Sequence, residues 1–215
     1  MIKHCIWAIL IGLLMSCSNQ PAIETKVEAP QSEEKKKEKL SNEEELLTKK
    51  TVVERLTAYA QHHADSIIYI KTSLGNITVK LYAQTPLHRA NFVRLANRKF
   101  YDGTYFHRVV PGFVAQGGGS DVRRKVKVGK YRVPAELFPN KYYHKKGAVA
   151  MARYDEDNPD KESDSHEFYL VKGRVHTLAE LKAIEKAYAF KFTPEQVKIY
   201  TTLGGAPHLD SQYTV

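Results

Sequence analysis

The sequence predicts a mostly β fold: an antiparallel β-barrel with one capping helix near its start and a helical hairpin inserted late. Three observations lead there. Short segments rich in Val, Ile, Tyr and Phe recur from residue 66 onward, separated by turn residues. Among the early ones a single helix start stands out, at Thr85-Pro86. Residues 175–203 carry two helix starts and a Gly-Gly stop of their own, a change of composition that reads as an insertion.

In chain order, Lys3 and the ten-residue apolar run 6–15 have the form of a signal peptide, too short to span a bilayer comfortably. Leu14-Met15-Ser16-Cys17 follows and resembles the lipobox of bacterial lipoproteins. That resemblance implies a signal peptide over 1–16 and lipid on Cys17. It also implies a protein of the bacterial cell envelope, anchored by acyl chains and facing the periplasm or the exterior. The other cysteine, Cys5, lies in the removable segment, so the mature chain would hold neither a disulfide nor a free thiol. Residues 17–40 are polar, with the run Glu33-Glu34-Lys35-Lys36-Lys37-Glu38-Lys39, and read as a tether. Residues 41–65 read as a helical extension with Leu46, Leu47, Val53, Leu56 and Tyr59 on its apolar side, packed on the domain or lengthening the tether.

The domain itself is expected over 66–215. Residues 68–72 and 77–81 read as strands around a Leu-Gly-Asn turn. The helix opened by Thr85-Pro86 runs to about Asn97 and buries Leu87, Ala90, Phe92 or Val93, and Leu95. Residues 147–152 and 167–171 read as further strands. In the insertion, Thr177-Leu178-Ala179-Glu180 forms a capping box and Thr193-Pro194-Glu195-Gln196 a second start. Leu178, Leu181, Ile184 and Tyr188 would then pack against Val197, Tyr200 and Leu203.

Chemistry concentrates in residues 106–118, Phe-His-Arg-Val-Val-Pro-Gly-Phe-Val-Ala-Gln-Gly-Gly. Two extended segments around a Pro-Gly bend would aim an arginine, a ring and an amide into one shallow pocket, with Phe106, Arg108 and Val110 on one face. The glycine run lacks the Lys-Ser/Thr of a phosphate cradle. His62, His63 and His107 are not spaced as metal ligands, and no metal or cofactor is expected. The chain of 215 residues carries 33 Lys+Arg against 24 Asp+Glu, a formal +9. The basic set Arg123, Arg124, Lys125, Lys127, Lys130 and Arg132 reads as a solvated strand face, and no nucleic-acid partner is expected.

The order F-H-R, P-G-F and Q-G-G resembles the signature of cyclophilins, the peptidyl-prolyl cis–trans isomerases. The resemblance covers residues 67–173 and resumes at about 206–215. It implies a catalytic set of Arg108, Phe113 and Gln116, with Phe113 flooring a proline pocket. It implies that His107, Val114, Ala152, Arg153, Glu167, Tyr169, His208, Leu209 and Tyr213 contact a proline-containing polypeptide. This sequence departs from the family pattern at several of these positions. Gly119 stands for an aspartate, Arg153 for an asparagine, Glu167 for a glutamine, Tyr169 for a phenylalanine, His208 for a tryptophan and Tyr213 for a histidine. The family continues past the position of Val215 with a second helix and a closing strand, so the resemblance implies a C-terminally incomplete domain, or one completed differently. Two functions fit: an isomerase assisting exported proteins, or a non-catalytic Pro-peptide binding module or holdase chaperone.

Overall fold

A computed structural model of the chain describes residues 46–119 and 128–215. Cys17, the signal peptide, the tether and the basic residues at 123–127 lie outside the described residues.

The expected helical extension is shorter than its pattern suggests. Leu47–Thr48 forms a short strand, β1, and the helix α1 spans Val52–His62. β1 finds a parallel partner in Gly129–Lys130 (β6), and that ladder takes Leu46 and Leu47 out of the helix. Gly129 permits the approach: with φ at +101°, a Cβ there would lie 2.1 Å from the Leu47 carbonyl oxygen. Val52, Leu56 and Tyr59 form the buried stripe of α1, whereas Val53 points outward. That stripe packs with Leu47, Ala90, Val93, Tyr131 and Val133, so α1 docks on the domain.

β2 (Ile67–Thr72) and β3 (Gly75–Lys80) pair as an antiparallel hairpin, and α2 spans Pro86–Asn97. The Thr85 side chain does not cap α2. The Glu136 carboxylate does so instead, accepting from Leu87 N at 3.1 Å and His88 N at 2.9 Å. An anion at a helix N-terminus satisfies free N–H groups and complements the dipole. Both faces of α2 are covered, with Ala90, Phe92, Val93 and Leu95 all buried.

The central sheet has four antiparallel strands in the order β4 (Arg108–Val110), β5 (Val114–Gly117), β10 (Phe168–Val171), β8 (Val149–Met151). β7 (Arg132–Val133) pairs with β9 (Ser163–Asp164). Thus the described strands form one four-stranded and three two-stranded sheets, with no ladder closing them into a barrel. Helix also outweighs strand among the described residues, so the mostly β expectation becomes a mixed one. The physical reason is the shortness of the strands: the β2–β3 hairpin joins the rest through Ile68 and Ile70, which pack on the cluster of Phe92, Met151 and Phe168.

The insertion forms two helices, α3 (Leu178–Tyr188) and α4 (Pro194–Thr202), each opened by a complete capping box. Its apolar contacts match those expected in part, since Leu181 and Ile184 share one cluster with Val197 and Tyr200. Leu181, Phe192 and Tyr200 are buried with Tyr143 of the main body, while Leu178, Tyr188 and Leu203 face outward. The chain returns through Gly205, where a Cβ would lie 2.2 Å from the His144 carbonyl oxygen. A 3-10 turn, Pro207–Leu209, follows.

Candidate active site

Strand register assembles the site. Arg108 pairs with Gln116, Gln116 with Tyr169, and Tyr169 with Ala150. Directly opposed residues share a sheet face, so these four side chains line up across the sheet. Val110, Val114 and Val171 form the next such row. The face shared by Arg108 and Gln116 excludes Phe106, contrary to the alternation read from sequence. β4 begins only at Arg108, and the Phe106 ring packs against Phe168 in a separate core cluster.

A polar chain runs along one edge. Arg108 Nη1 donates to Gln116 Oε1 at 3.3 Å, and Gln116 Nε2 donates to Glu167 Oε2 at 2.8 Å. Glu167 is buried, and its backbone N–H is held by Asp164 Oδ1 at 2.8 Å. The Tyr154 hydroxyl also bonds to Glu167, whose charge raises the Tyr154 pKa. His107 Nε2 stands 4.0 Å from Glu167 Oε2. Gly119 makes room for that histidine, since a Cβ there would lie 2.7 Å from its ring.

Beside this chain lies an apolar wall. Val114, Ala152 and Tyr169 are buried in one cluster, with Phe113, Leu209 and Tyr213 partly exposed on it. The Tyr213 ring meets Tyr169 edge-on at 6.0 Å, and the Arg153 guanidinium sits 4.8 Å over Tyr213. Arg153 also pairs with Asp155 at 2.8 Å. His208 stacks on Phe113 at 5.4 Å, and burial lowers its pKa. The fold therefore gathers Phe113, Val114, Ala152, Tyr169, Leu209 and Tyr213 at the wall. It sets Arg108, Gln116, Glu167 and His107 along its edge and places Arg153 and His208 as flanking groups.

Sequence reasoning missed what lies beneath the wall. His144 Nδ1 lies 2.9 Å from Asp210 Oδ1, and His144 Nε2 lies 3.0 Å from the Tyr169 hydroxyl. A carboxylate only accepts, so Nδ1 carries the proton; in the neutral ring Nε2 then accepts from Tyr169. Asp210 also accepts from His144 N at 2.8 Å, Gln196 Nε2 at 3.3 Å and Tyr200 Oη at 2.6 Å. Burial raises the Tyr169 and Tyr200 pKa values, which keeps both hydroxyls protonated. Asp210 directly follows the motif residue Leu209, but its partners on the insertion left no local signal.

Among the described residues no group of three or more His, Cys, Asp or Glu could hold a metal ion. Among them, too, no helix is long and apolar enough to cross a membrane.

Residues 67–215 match the family model for the cyclophilin type peptidyl-prolyl cis-trans isomerase/CLD, and the chain belongs to this family. A peptidyl-prolyl cis-trans isomerase of Acinetobacter baylyi is 37% identical over 108 residues, 50% of this chain and 55% of that protein. Peptidyl-prolyl cis-trans isomerase A of Dickeya dadantii is 35% identical over 131 residues, 58% of this chain and 65% of its own length. The chain thus spans about half to two thirds of these relatives. A Cryptosporidium parvum cyclophilin type isomerase, solved in the presence of the dipeptide Ala-Pro, aligns with a TM-score of 0.45 at 22% identity. That alignment covers 69% of this chain and 74% of that one.

Proposed function

We propose that this chain is a peptidyl-prolyl cis–trans isomerase that assists the folding of exported proteins while anchored to a membrane surface through lipid on Cys17. One observation carries the catalytic part: a guanidinium, Arg108, is held by Gln116 at the edge of an apolar wall.

The chemistry needs little else. Rotation about a peptide bond faces a barrier of ~18–20 kcal/mol from amide resonance. For X-Pro bonds, isomer exchange takes tens to hundreds of seconds. A catalyst must favour the twisted state, in which resonance is lost and the prolyl nitrogen becomes pyramidal. A cationic donor aimed at that nitrogen or the nearby carbonyl favours it electrostatically. Arg108 supplies a rigid, permanently charged fork. Phe113, Leu209 and Tyr213, over Tyr169 and Val114, would hold the pyrrolidine ring while the chain turns about it. Ala152 lies along the same wall, its backbone N–H and carbonyl engaged by Glu167 and Asp164, so it would offer the peptide its methyl group.

The export part rests on residues 1–17. Intact mass of membrane-extracted protein tests it: the mature chain should begin at an acylated Cys17. A different or unlipidated N-terminus refutes the anchor.

A second reading, a non-catalytic Pro-peptide binder or holdase, is favoured by Arg153, whose guanidinium covers the Tyr213 edge of the wall. Exchange spectroscopy on a proline peptide separates the two readings. Accelerated exchange supports the isomerase; binding without acceleration supports the binder.

A further inference from the structure

The insertion reaches the proline wall through buried hydrogen bonds. Tyr200 and Gln196 stand on α4, and both are sealed from water. Their donors meet one carboxylate oxygen, Asp210 Oδ2, at 2.6 and 3.3 Å. The other oxygen, Oδ1, accepts from His144 N at 2.8 Å and from His144 Nδ1 at 2.9 Å. The side chains of Asp210 and His144 are wholly sealed as well. Each carboxylate oxygen thus accepts twice, which fills its lone pairs. In a dry interior a satisfied network of this kind holds its members in one arrangement.

Two routes lead from Asp210 to the partly exposed face of the wall. One is the chain itself. Leu209 precedes Asp210 and ends the 3-10 turn Pro207–Leu209, which Asp210 N closes by donating to the Pro207 carbonyl at 3.2 Å. The other route runs through His144. Its Nε2 meets the Tyr169 hydroxyl at 3.0 Å, and the two rings are 18° from parallel. The Tyr213 ring stands edge-on to both, 6.4 Å from His144 and 6.0 Å from Tyr169. A phenylalanine at position 169 has no hydroxyl to give, so the departure at that position is what ties the wall to the network.

We infer that the insertion is a positioning arm for the proline wall. Tyr200 and Gln196 hold Asp210, and Asp210 sets Leu209 through the chain and Tyr213 through His144 and Tyr169. The inference rests on the proline-site reading. Asp210, Tyr200 and Gln196 touch no substrate; they are positioning residues, which fix the surface that receives the pyrrolidine ring. Arg108 is held from elsewhere, by Gln116 and through it by Glu167. A change in the insertion is therefore felt in the affinity for proline peptides more than in the rate once a peptide is bound.

The test is proline-peptide titration and cis–trans exchange, both read by NMR on the full chain well below its unfolding temperature. Tyr200→Phe should weaken peptide affinity about three- to ten-fold, within the coupling typical of one hydrogen-bond network, and change the exchange rate at saturation less than about two-fold. Val93→Ala, in the core beneath α1, should lower the urea midpoint and leave the affinity unchanged. In a Tyr169→Phe background, which cuts the His144 route and keeps the ring, Tyr200→Phe should cost less affinity than in the wild type. A proline peptide should also move the His144 imidazole nitrogen resonances of the wild type, although that ring is sealed from any ligand. Unchanged affinity in Tyr200→Phe, an equal loss in Val93→Ala, strict additivity with Tyr169→Phe, or His144 resonances blind to the peptide overturns the positioning role and leaves the proline site standing. If no proline peptide shifts the resonances of Arg108 or Phe113, the proline site falls and the positioning role with it.

Discussion

Tyr200→Phe probes how far the insertion is wired into the site. The Tyr200 hydroxyl donates to Asp210 Oδ2 at 2.6 Å, and both side chains are essentially sealed from water. A net hydrogen bond to a charged group contributes about 1.5–3 kcal/mol. Asp210 keeps its other donors, His144 N, His144 Nδ1 and Gln196 Nε2, so the carboxylate is not orphaned. The expected loss is therefore about 2 kcal/mol, in the lower half of that range. For a chain of this size that lowers Tm by roughly 4–8 °C. Urea unfolding should show a lower midpoint at an unchanged slope, the signature of lost stability rather than altered compactness. The stronger assay is a double-mutant cycle with Tyr169→Phe, whose hydroxyl meets the same network at His144 Nε2, 3.0 Å away. Groups in one hydrogen-bond network couple by about 0.5–3 kcal/mol. A stability loss under about 0.5 kcal/mol, or strict additivity in the cycle, would refute a network that carries the insertion to the wall.

Other substitutions address the chemistry. Arg108→Ala should lower kcat/KM about 10²–10³-fold with little change in folding, and Arg108→Lys should restore little, because a flexible point charge does not reproduce the fork. Proline-peptide exchange by NMR measures both. Phe113→Ala should weaken peptide binding by roughly 1.5–3 kcal/mol, the burial of one ring, read from titration of a proline peptide. Burial is the main cause lowering the His208 pKa below its ordinary 6.5, with His144 and His176 adding to it and Asp210 opposing. The folded state then binds fewer protons than the unfolded state in the window below 6.5, so stability rises with pH there and is lost as pH falls through it. His208→Phe, which keeps a ring on Phe113, should flatten that part of the urea-midpoint profile. An identical slope in the variant would show that another group titrates.

What the sequence made legible was local. Thr177 with Glu180 forms the capping box read from the sequence, and the second start, Thr193 with Gln196 three residues on, closes as a capping box too. The motif residues 106–118 are local too, because a short hairpin fixes the relation of Arg108 to Gln116. What escaped was long-range. The cap of α2 is Glu136, 49 residues beyond Leu87 in sequence, and no pattern near Thr85 announces it. His144 and Asp210 are 66 residues apart. Leu47 satisfies a helical period as well as a strand, and only the partner at Gly129 decides between them. The insertion reads as self-contained because its caps are. Yet Tyr200, counted as part of its private stripe, spends its hydroxyl on Asp210 of the main body. Deleting residues 175–203 therefore removes two donors to a buried carboxylate along with the helices.

The departure at position 167 acquires a physical meaning in this setting. A glutamine side chain presents a donor at one end and an acceptor at the other, and its neighbours decide which faces where. Glu167 accepts only, so Gln116 Nε2 donates to it at 2.8 Å, which leaves Gln116 Oε1 facing Arg108. A glutamine in its place would serve either end of Gln116. The carboxylate thus fixes the amide in the one orientation that holds a guanidinium. Placing a carboxylate in a mostly buried position carries a desolvation cost. The Gln116 amide and the Tyr154 hydroxyl offset it. The added negative charge is engaged by the Gln116 amide and the Tyr154 hydroxyl, so it holds Gln116 without standing as a bare anion at the edge of the wall. On this geometry Glu167 is compatible with the proposed isomerase, because it supplies the acceptor on which the orientation of Gln116, and through it Arg108, depends.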